Sequence, residues 1–301
     1  MDTRYVNPFT DFGFKKLFGE EASKPILIDF LNSLLPEYAQ IQDLSFRNSE
    51  RLGANASARK AVYDIYCEGT NGEKFIVELQ KAKQDYFIER TIYYSTFPIS
   101  EQASKGVEWD FNLTAVYCIG ILDFTFKDYS YEDRERFQVK HEIKLRYPNG
   151  TTFYDKLTYI YLELPNFKKV ENELITRQDK WLYFIKHLRD FNSIPHIFQN
   201  EVVFLSAFEK AEVANYSREE LASYDQSLKA YWDNYNTMAS AIRTAEKDGM
   251  AKGLAQGITI GKSEGKLEGK LEVAKSLKED GMSVAVIAKA TGLSEDTINS
   301  L

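Results

Sequence analysis

The chain has little with which to build a metal cluster or a cross-linked scaffold. Its 301 residues include only two cysteines, Cys67 and Cys118, and three histidines, His141, His187 and His196, none at metal-ligand spacing. So few cysteines argue against a disulfide framework and point to a reducing compartment, with the cytoplasm as the expected location. No HExxH, Walker A or GxGxxG pattern occurs, which argues against a zincin, a P-loop NTPase and a Rossmann enzyme. No run approaches the roughly 18 apolar residues of a membrane span. Met1-Asp2-Thr3-Arg4-Tyr5 lacks the apolar run of a signal peptide. Basic excess is lacking too. Lys and Arg total 38 against 45 Asp and Glu, a net charge of −7, so attraction to a polyanion has to come from a local groove or from bound cations.

What is present is apolar and aromatic. A hydrophobic content of 44%, with 19 Tyr and 20 Phe, suffices for one sizeable core and an appendage. Residues 8–35 read as helical, with Leu27, Phe30, Leu31 and Leu34 on one face and Pro36 as the stop. Residues 60–80 read as two strands around a tight turn. A helix is expected from Asp85, kinked or split at Pro98. Leu113 to Leu122 has the composition of a buried strand. Two more strands are expected near 136–145, which carries His141 as a structural residue, and 157–164, joined through Pro148-Asn149-Gly150. Beyond Pro165 the pattern is helical, with Ser217-Arg218-Glu219-Glu220 as a capping box. This order describes an α/β core with an all-helical C-terminal extension.

Two polar residues interrupt an otherwise apolar strand. In Lys74-Phe75-Ile76-Val77-Glu78-Leu79-Gln80, the residues Phe75, Val77 and Leu79 share one face, and Ile76, Glu78 and Gln80 share the other. The turn before this strand decides what joins them. A two-residue Asn71-Gly72 turn sets Asp64 opposite Leu79, on the wrong face. A three-residue Thr70-Asn71-Gly72 loop, with Gly72 in the left-handed region, sets Asp64 opposite Glu78 at roughly 5 Å. The three-residue loop is the expectation. Two acids that close repel unless protonated or bridged by a cation. Their hard oxygens suit Mg²⁺ or Mn²⁺, which polarise phosphoryl oxygens and activate water. Spacing alone leaves the plainer alternative open, that both acids are simply solvated on an open sheet face.

At these residues the chain resembles a known group. Asp64, then 13 residues, then Glu78-Leu79-Gln80 resembles the Asp…Glu-x-Lys signature of PD-(D/E)XK nucleases, with Gln in the lysine position. Asp11 through Gly19, Leu31-Asn32-Ser33-Leu34-Leu35, Glu89-Arg90-Thr91-Ile92-Tyr93-Tyr94 and Glu101-Gln102-Ala103-Ser104-Lys105-Gly106 resemble the Rpn (recombination-promoting nuclease) / PD-(D/E)XK transposase family over about residues 5–235. The resemblance implies a restriction-endonuclease-like core, a central mixed sheet flanked by helices. It also implies Mg²⁺-dependent DNA cleavage, with Asp64 and Glu78 as metal ligands and Gln80 positioning water without a charge of its own. Lys81 is expected on the opposite sheet face. Asp11 is either an ion-pair partner of Lys15, one helical turn away, or an extra acid at the metal site. Lys15, Arg90, Tyr94 and Gln102 are candidate substrate contacts. For Arg90 and Tyr94 the alternatives are an ion pair and core packing.

Three segments follow by organisation: a nuclease-like domain at 1–235, a linker or association helix at 236–272 and a helix-turn-helix-like tail at 273–301. In the second, Gly249, Gly253, Gly257, Gly261, Gly265 and Gly269 recur every fourth residue. Each costs a helix about 1 kcal/mol relative to Ala, a cost that close helix packing can offset. A homodimer is expected on that ground; a frayed linker is the alternative. In the tail, Ser283 and Ser294 are expected N-caps, but the last helix carries Glu295 and Asp296 and no basic residue. It therefore reads as a docking or regulatory element rather than a DNA reader. The leading functional expectation is a Mg²⁺-dependent DNA endonuclease in recombination, mobility or defence. The alternative is a weak or inactive nuclease fold that binds nucleic acid or protein. A transposase finds no second acid constellation to support it.

Overall fold

The computed structural model describes residues 3–51, 61–82, 84–103, 111–126 and 139–301. Lys83, Ser104, Lys105, Gly106 and the first residues of the strand expected at 136–145 lie outside these. Two compact units are present, Met1–Tyr231 and Trp232–Leu301.

The first unit is built on a six-stranded mixed sheet. Its strands are β1 (Leu44–Phe46), β4 (Ile65–Gly69), β5 (Lys74–Gln80), β6 (Val116–Leu122), β7 (Lys140–Arg146) and β8 (Thr152–Glu163), ordered β1-β4-β5-β6-β8-β7. The inner strands β5, β6 and β8 run parallel, and the flanking pairs are antiparallel. β6 is apolar throughout and buried along its whole length, as a strand covered on both faces must be. A separate two-stranded ribbon joins β2 (Glu50–Arg51) to β3 (Ala61–Val62). The turn expected between β7 and β8 forms with Gly150 at φ +87°.

One sheet face carries the large core. Phe75, Val77, Leu79, Ile119 and Ile121 meet the helices α1 (Asp11–Phe18), α2 (Lys24–Leu34), α4 (Arg177–His187) and α5 (Val202–Ala211). Trp181 sits at its centre, against Phe18, Phe30, Phe184 and Phe204. The opposite face is covered by α3 (Phe87–Glu101), with Tyr63, Tyr66, Ile76 and Cys118 beneath it.

Two helical expectations are corrected. Residues 8–35 form two helices instead of one. α1 ends at Gly19, and Pro25 in the first turn of α2 starts a new helix, where its missing N–H costs nothing. Conversely, of the two outcomes expected at Pro98, the split does not occur, and α3 runs on through it. Pro98 cannot bond the carbonyl of Tyr94 one turn back, and the Tyr63 hydroxyl donates to that oxygen instead, at 3.0 Å.

In the second unit, helix α6 (Arg218–Glu279), which begins in the first, is followed by α7 (Val284–Thr291) and α8 (Glu295–Ser300). The capping box at its start forms, with Glu220 N–H bonding Ser217 Oγ and Ser217 N–H bonding the Glu220 carboxylate. Ala274, Ile287 and Ile298 make a small core. Ser294 caps α8 through its side chain, accepting from Thr297 N–H. Ser283 occupies the N-cap of α7 without a side-chain bond. A Cβ at any of the six ladder glycines would meet nothing within 4 Å.

Candidate active site

The β4–β5 hairpin has the register that a three-residue loop dictates. Ile65 pairs with Val77 and Glu68 with Lys74. The loop closes where Gly69 N–H donates to Glu73 O at 2.9 Å, leaving residues 70–72 as the connection and Gly72 at φ +86°. One step beyond the Ile65–Val77 pair, this register sets Asp64 across from Glu78. The ladder itself stops there. Asp64 lies at a bend, and its Oδ2 accepts the Leu79 N–H at 2.7 Å, so a side chain takes over the bond that a backbone carbonyl would make.

The pair is held against its own electrostatics. Burial pushes the Glu78 carboxyl up to about 8, and repulsion from Asp64 adds to the rise. Arg90, a backbone hydrogen bond from Asp64 and the charge of Lys15 oppose it. Part of Glu78 still reaches the surface, but its Oε1 is sealed off without a hydrogen-bond partner. Asp64 is also raised, first by burial. The Leu79 N–H pulls it down, Asp11 pushes it further up, and Lys15 and Lys81 counter. A small void beside Glu78 is lined by Thr91, Tyr94, Cys118 and Tyr161. Gly120, in register with Glu78 on β6, leaves that space open; a Cβ there would stand 2.9 Å from the Tyr161 ring.

The remaining expected residues divide into two groups. Gln80 and Arg90 come together: Arg90 Nη2 donates to Gln80 Oε1 at 2.6 Å, while Gln80 Nε2 donates to Ala82 O at 2.9 Å. Arg90 also lies over the rings of Phe87 and Tyr94, and its buried Nε has no partner among the described residues. Tyr94 is half-buried and stacks edge-on against Tyr63, so packing accounts for one side of it, while another lines the void at Glu78. Asp11 and Lys15 form the expected i, i+4 ion pair at 2.8 Å. Both line a groove of about 750 Å³ that reaches Asp64 and includes Arg47, Ser49 and Gln226. Gln102 is not brought to the site. Its Oε1 accepts the Thr114 N–H at 2.7 Å, six residues before Gly120 and therefore roughly 20 Å away along the strand direction. There it fastens the end of α3 to the entry of β6. His141 lies beside Glu163 on neighbouring strands, away from Glu78.

Sequence reading places Lys81 on the opposite sheet face and gives it no part in the site. An alternating strand puts it on the face opposite Gln80, and it does lie on the α1 side. β5 ends at Gln80, and Asp64, held on the Leu79 N–H two residues before Lys81, lines the same groove as Asp11 and Lys15 of α1. Burial lowers the basicity of Lys81, and the nearby charges of Asp11 and Asp64 oppose that lowering. Its ammonium rests 5.4 Å from the centroid of Tyr231.

Asp64 and Glu78 are hard oxygen donors, one with an unpartnered oxygen, and this donor set fits a Mg²⁺-type ion. Such ions take one or two carboxylates and complete their shell with water and phosphate. Among the described residues, no cluster of three or more His, Cys, Asp or Glu side chains is arranged for a metal, and Asp11 is paired with Lys15. No described helix is long and apolar enough to cross a membrane. No curated protein and no solved structure matches the chain. A family model does, that of the PD-(D/E)XK nuclease family transposases, across residues 8–241. That fold family generally uses divalent metal ions, and its nuclease activity implies DNA as substrate. With a mixed sheet flanked by helices and most of its length covered by that model, the chain belongs to the PD-(D/E)XK nuclease family transposases.

Proposed function

We propose that this chain is a divalent-metal-dependent DNA endonuclease whose metal is held by Asp64 and Glu78. One observation carries the reading. The register of one hairpin sets two largely buried carboxylates across from each other, burial pushes both toward the protonated form, and among the described residues Glu78 Oε1 has no partner. A stability-driven fold has no use for that arrangement, whereas a divalent cation relieves it. When bound, Mg²⁺ or Mn²⁺ would polarise the phosphate and lower the pKa of a water.

The chain's own groups do the rest. Asp64 is oriented by the Leu79 N–H, so its free oxygen is presented without a search over rotamers. Gln80 fixes Arg90 and keeps a second N–H and a second lone pair with which to orient the attacking water. Arg90, held over two rings, is the proposed phosphate contact from α3. Lys15 and Asp11 border the groove along which the substrate backbone runs. Recombination, mobility or defence of DNA is the proposed context. Association of two copies along the open glycine face of α6 is the proposed assembly.

Plasmid nicking with Mg²⁺ or Mn²⁺ tests the reading. Wild type is expected to nick, and Asp64→Asn and Glu78→Ala are expected to abolish nicking while remaining folded. Asn keeps an oxygen for the Leu79 N–H, so it separates chemistry from folding. Retained cleavage by folded Asp64→Asn would refute the assignment. A wild type that binds DNA and cuts under neither metal favours the second reading, a binding module, which the uncharged Gln80 supports.

A further inference from the structure

We infer that Lys81 supplies the positive charge at the scissile phosphate that the amide of Gln80 does not carry. The inference rests on the proposed reading of Asp64 and Glu78 as the metal-holding pair. Hydrolysis of a phosphodiester builds negative charge on the non-bridging oxygens, and fixed cations aimed at that charge stabilise it. Three cationic residues act on the two acids: Lys15, Arg90 and Lys81. Lys15 is already bound to Asp11 at 2.8 Å. Arg90 is bound to Gln80 and Gln84 and spread over two rings. Among the described residues Lys81 makes no ion pair and no hydrogen bond; its one contact of this kind is the face of Tyr231.

A half-buried ammonium two residues after the N–H that holds Asp64, near Asp64 and Asp11 but in an ion pair with neither, is costly as structure. It is well placed as chemistry. The Tyr231 ring holds the cation through its quadrupole without consuming any of its three N–H donors. Those donors remain available for a phosphate oxygen delivered beside Asp64. Lys81 keeps its proton throughout and acts by charge and hydrogen bonding. It also answers how an acidic chain with an amide beside its carboxylates meets a polyanion at the point of reaction.

The test uses the full chain and four variants: Lys81→Met, Lys81→Gln, Lys81→Arg and the double variant Gln80→Lys/Lys81→Met, which moves the ammonium back by one residue. Two quantities are read, the nicking rate and the affinity for Mn²⁺ alone by titration calorimetry. Lys81→Met and Lys81→Gln are expected to slow nicking about 100-fold and to tighten Mn²⁺ binding several-fold, because a positive charge beside the acids is removed. Lys81→Arg should retain more activity than either, and the double variant should recover at least about tenfold of the lost rate. A neutral variant within about threefold of wild type in nicking, or with unchanged Mn²⁺ affinity, overturns the inference. The calorimetric arm needs no cleavage, so it reads the charge of Lys81 at the acids separately from its effect on rate. If Asp64→Asn abolishes nicking and Lys81→Met does not, the role of Lys81 falls while the metal pair stands.

Discussion

Strand β5 presents two faces that were selected for opposite reasons. Phe75, Val77 and Leu79 sink into the aromatic core around Trp181, where every contact favours folding. Ile76 begins the other face in the same way, but Glu78 and Gln80 end it with groups that burial penalises. Seven residues thus contain both a source of stability and a store of unfavourable energy. Strain of this kind survives where a rigid scaffold overrides it, and here the scaffold is the facing side of the same strand.

The sharpest way to test that contrast is Glu78→Gln. It should cut nicking by about 10³-fold or more, roughly 4 kcal/mol of barrier, and at pH 8 the variant should melt above wild type in thermal denaturation. A lower melting temperature would mean that the acid is structural. The second effect is a pH slope of the metal-free protein. Glu78 holds its proton in the folded state up to about 8, above the ordinary glutamate value of 4.5. Between these values the folded state binds more protons than the unfolded, so stability falls as pH rises through this window. Denaturant titrations at pH 5 and pH 8 should show the decline, Glu78→Gln should flatten it, and added Mg²⁺ should stabilise more at pH 8 than at pH 6.

On the other face, Val77→Ala should cost about 2 kcal/mol through two lost methyl groups and the cavity left behind. Its nicking rate per folded molecule should stay near wild type; a large loss would show that the two faces are not separable. The smallest effect is expected far from β5. Gly257→Ala should stabilise α6 by up to about 1 kcal/mol if the helix stands alone. If two copies pack along that face, the same change should instead weaken association in analytical ultracentrifugation.

Local chemistry made much of this legible in the sequence. Gly72 with Asn71 fixed the loop length, the loop length fixed the register, and the register carried Asp64 to Glu78 without any knowledge of the rest of the fold. The β7–β8 turn and the Ser217 cap were readable for the same reason. What escaped depended on distant partners. The Tyr63 hydroxyl that keeps α3 whole at Pro98 comes from 31 residues away, and no helix rule contains it. The capture of the Leu79 N–H by Asp64, where the ladder ends, is likewise a tertiary event. Gln102 was misplaced because a sequence segment shared with a motif says nothing about which end of a helix lies near the chemistry.

Gly120 makes this architecture vulnerable at a place where no reaction occurs. Its missing side chain lets the ring of Tyr161 lie close, the Tyr161 hydroxyl meets Thr91 at 2.6 Å, and Thr91 sits one residue from Arg90. A single added methyl group would push on that relay and tilt the helix that aims the guanidinium. In a saturation screen for cutting, an inert-looking glycine in the middle of a buried strand should therefore score like an active-centre residue.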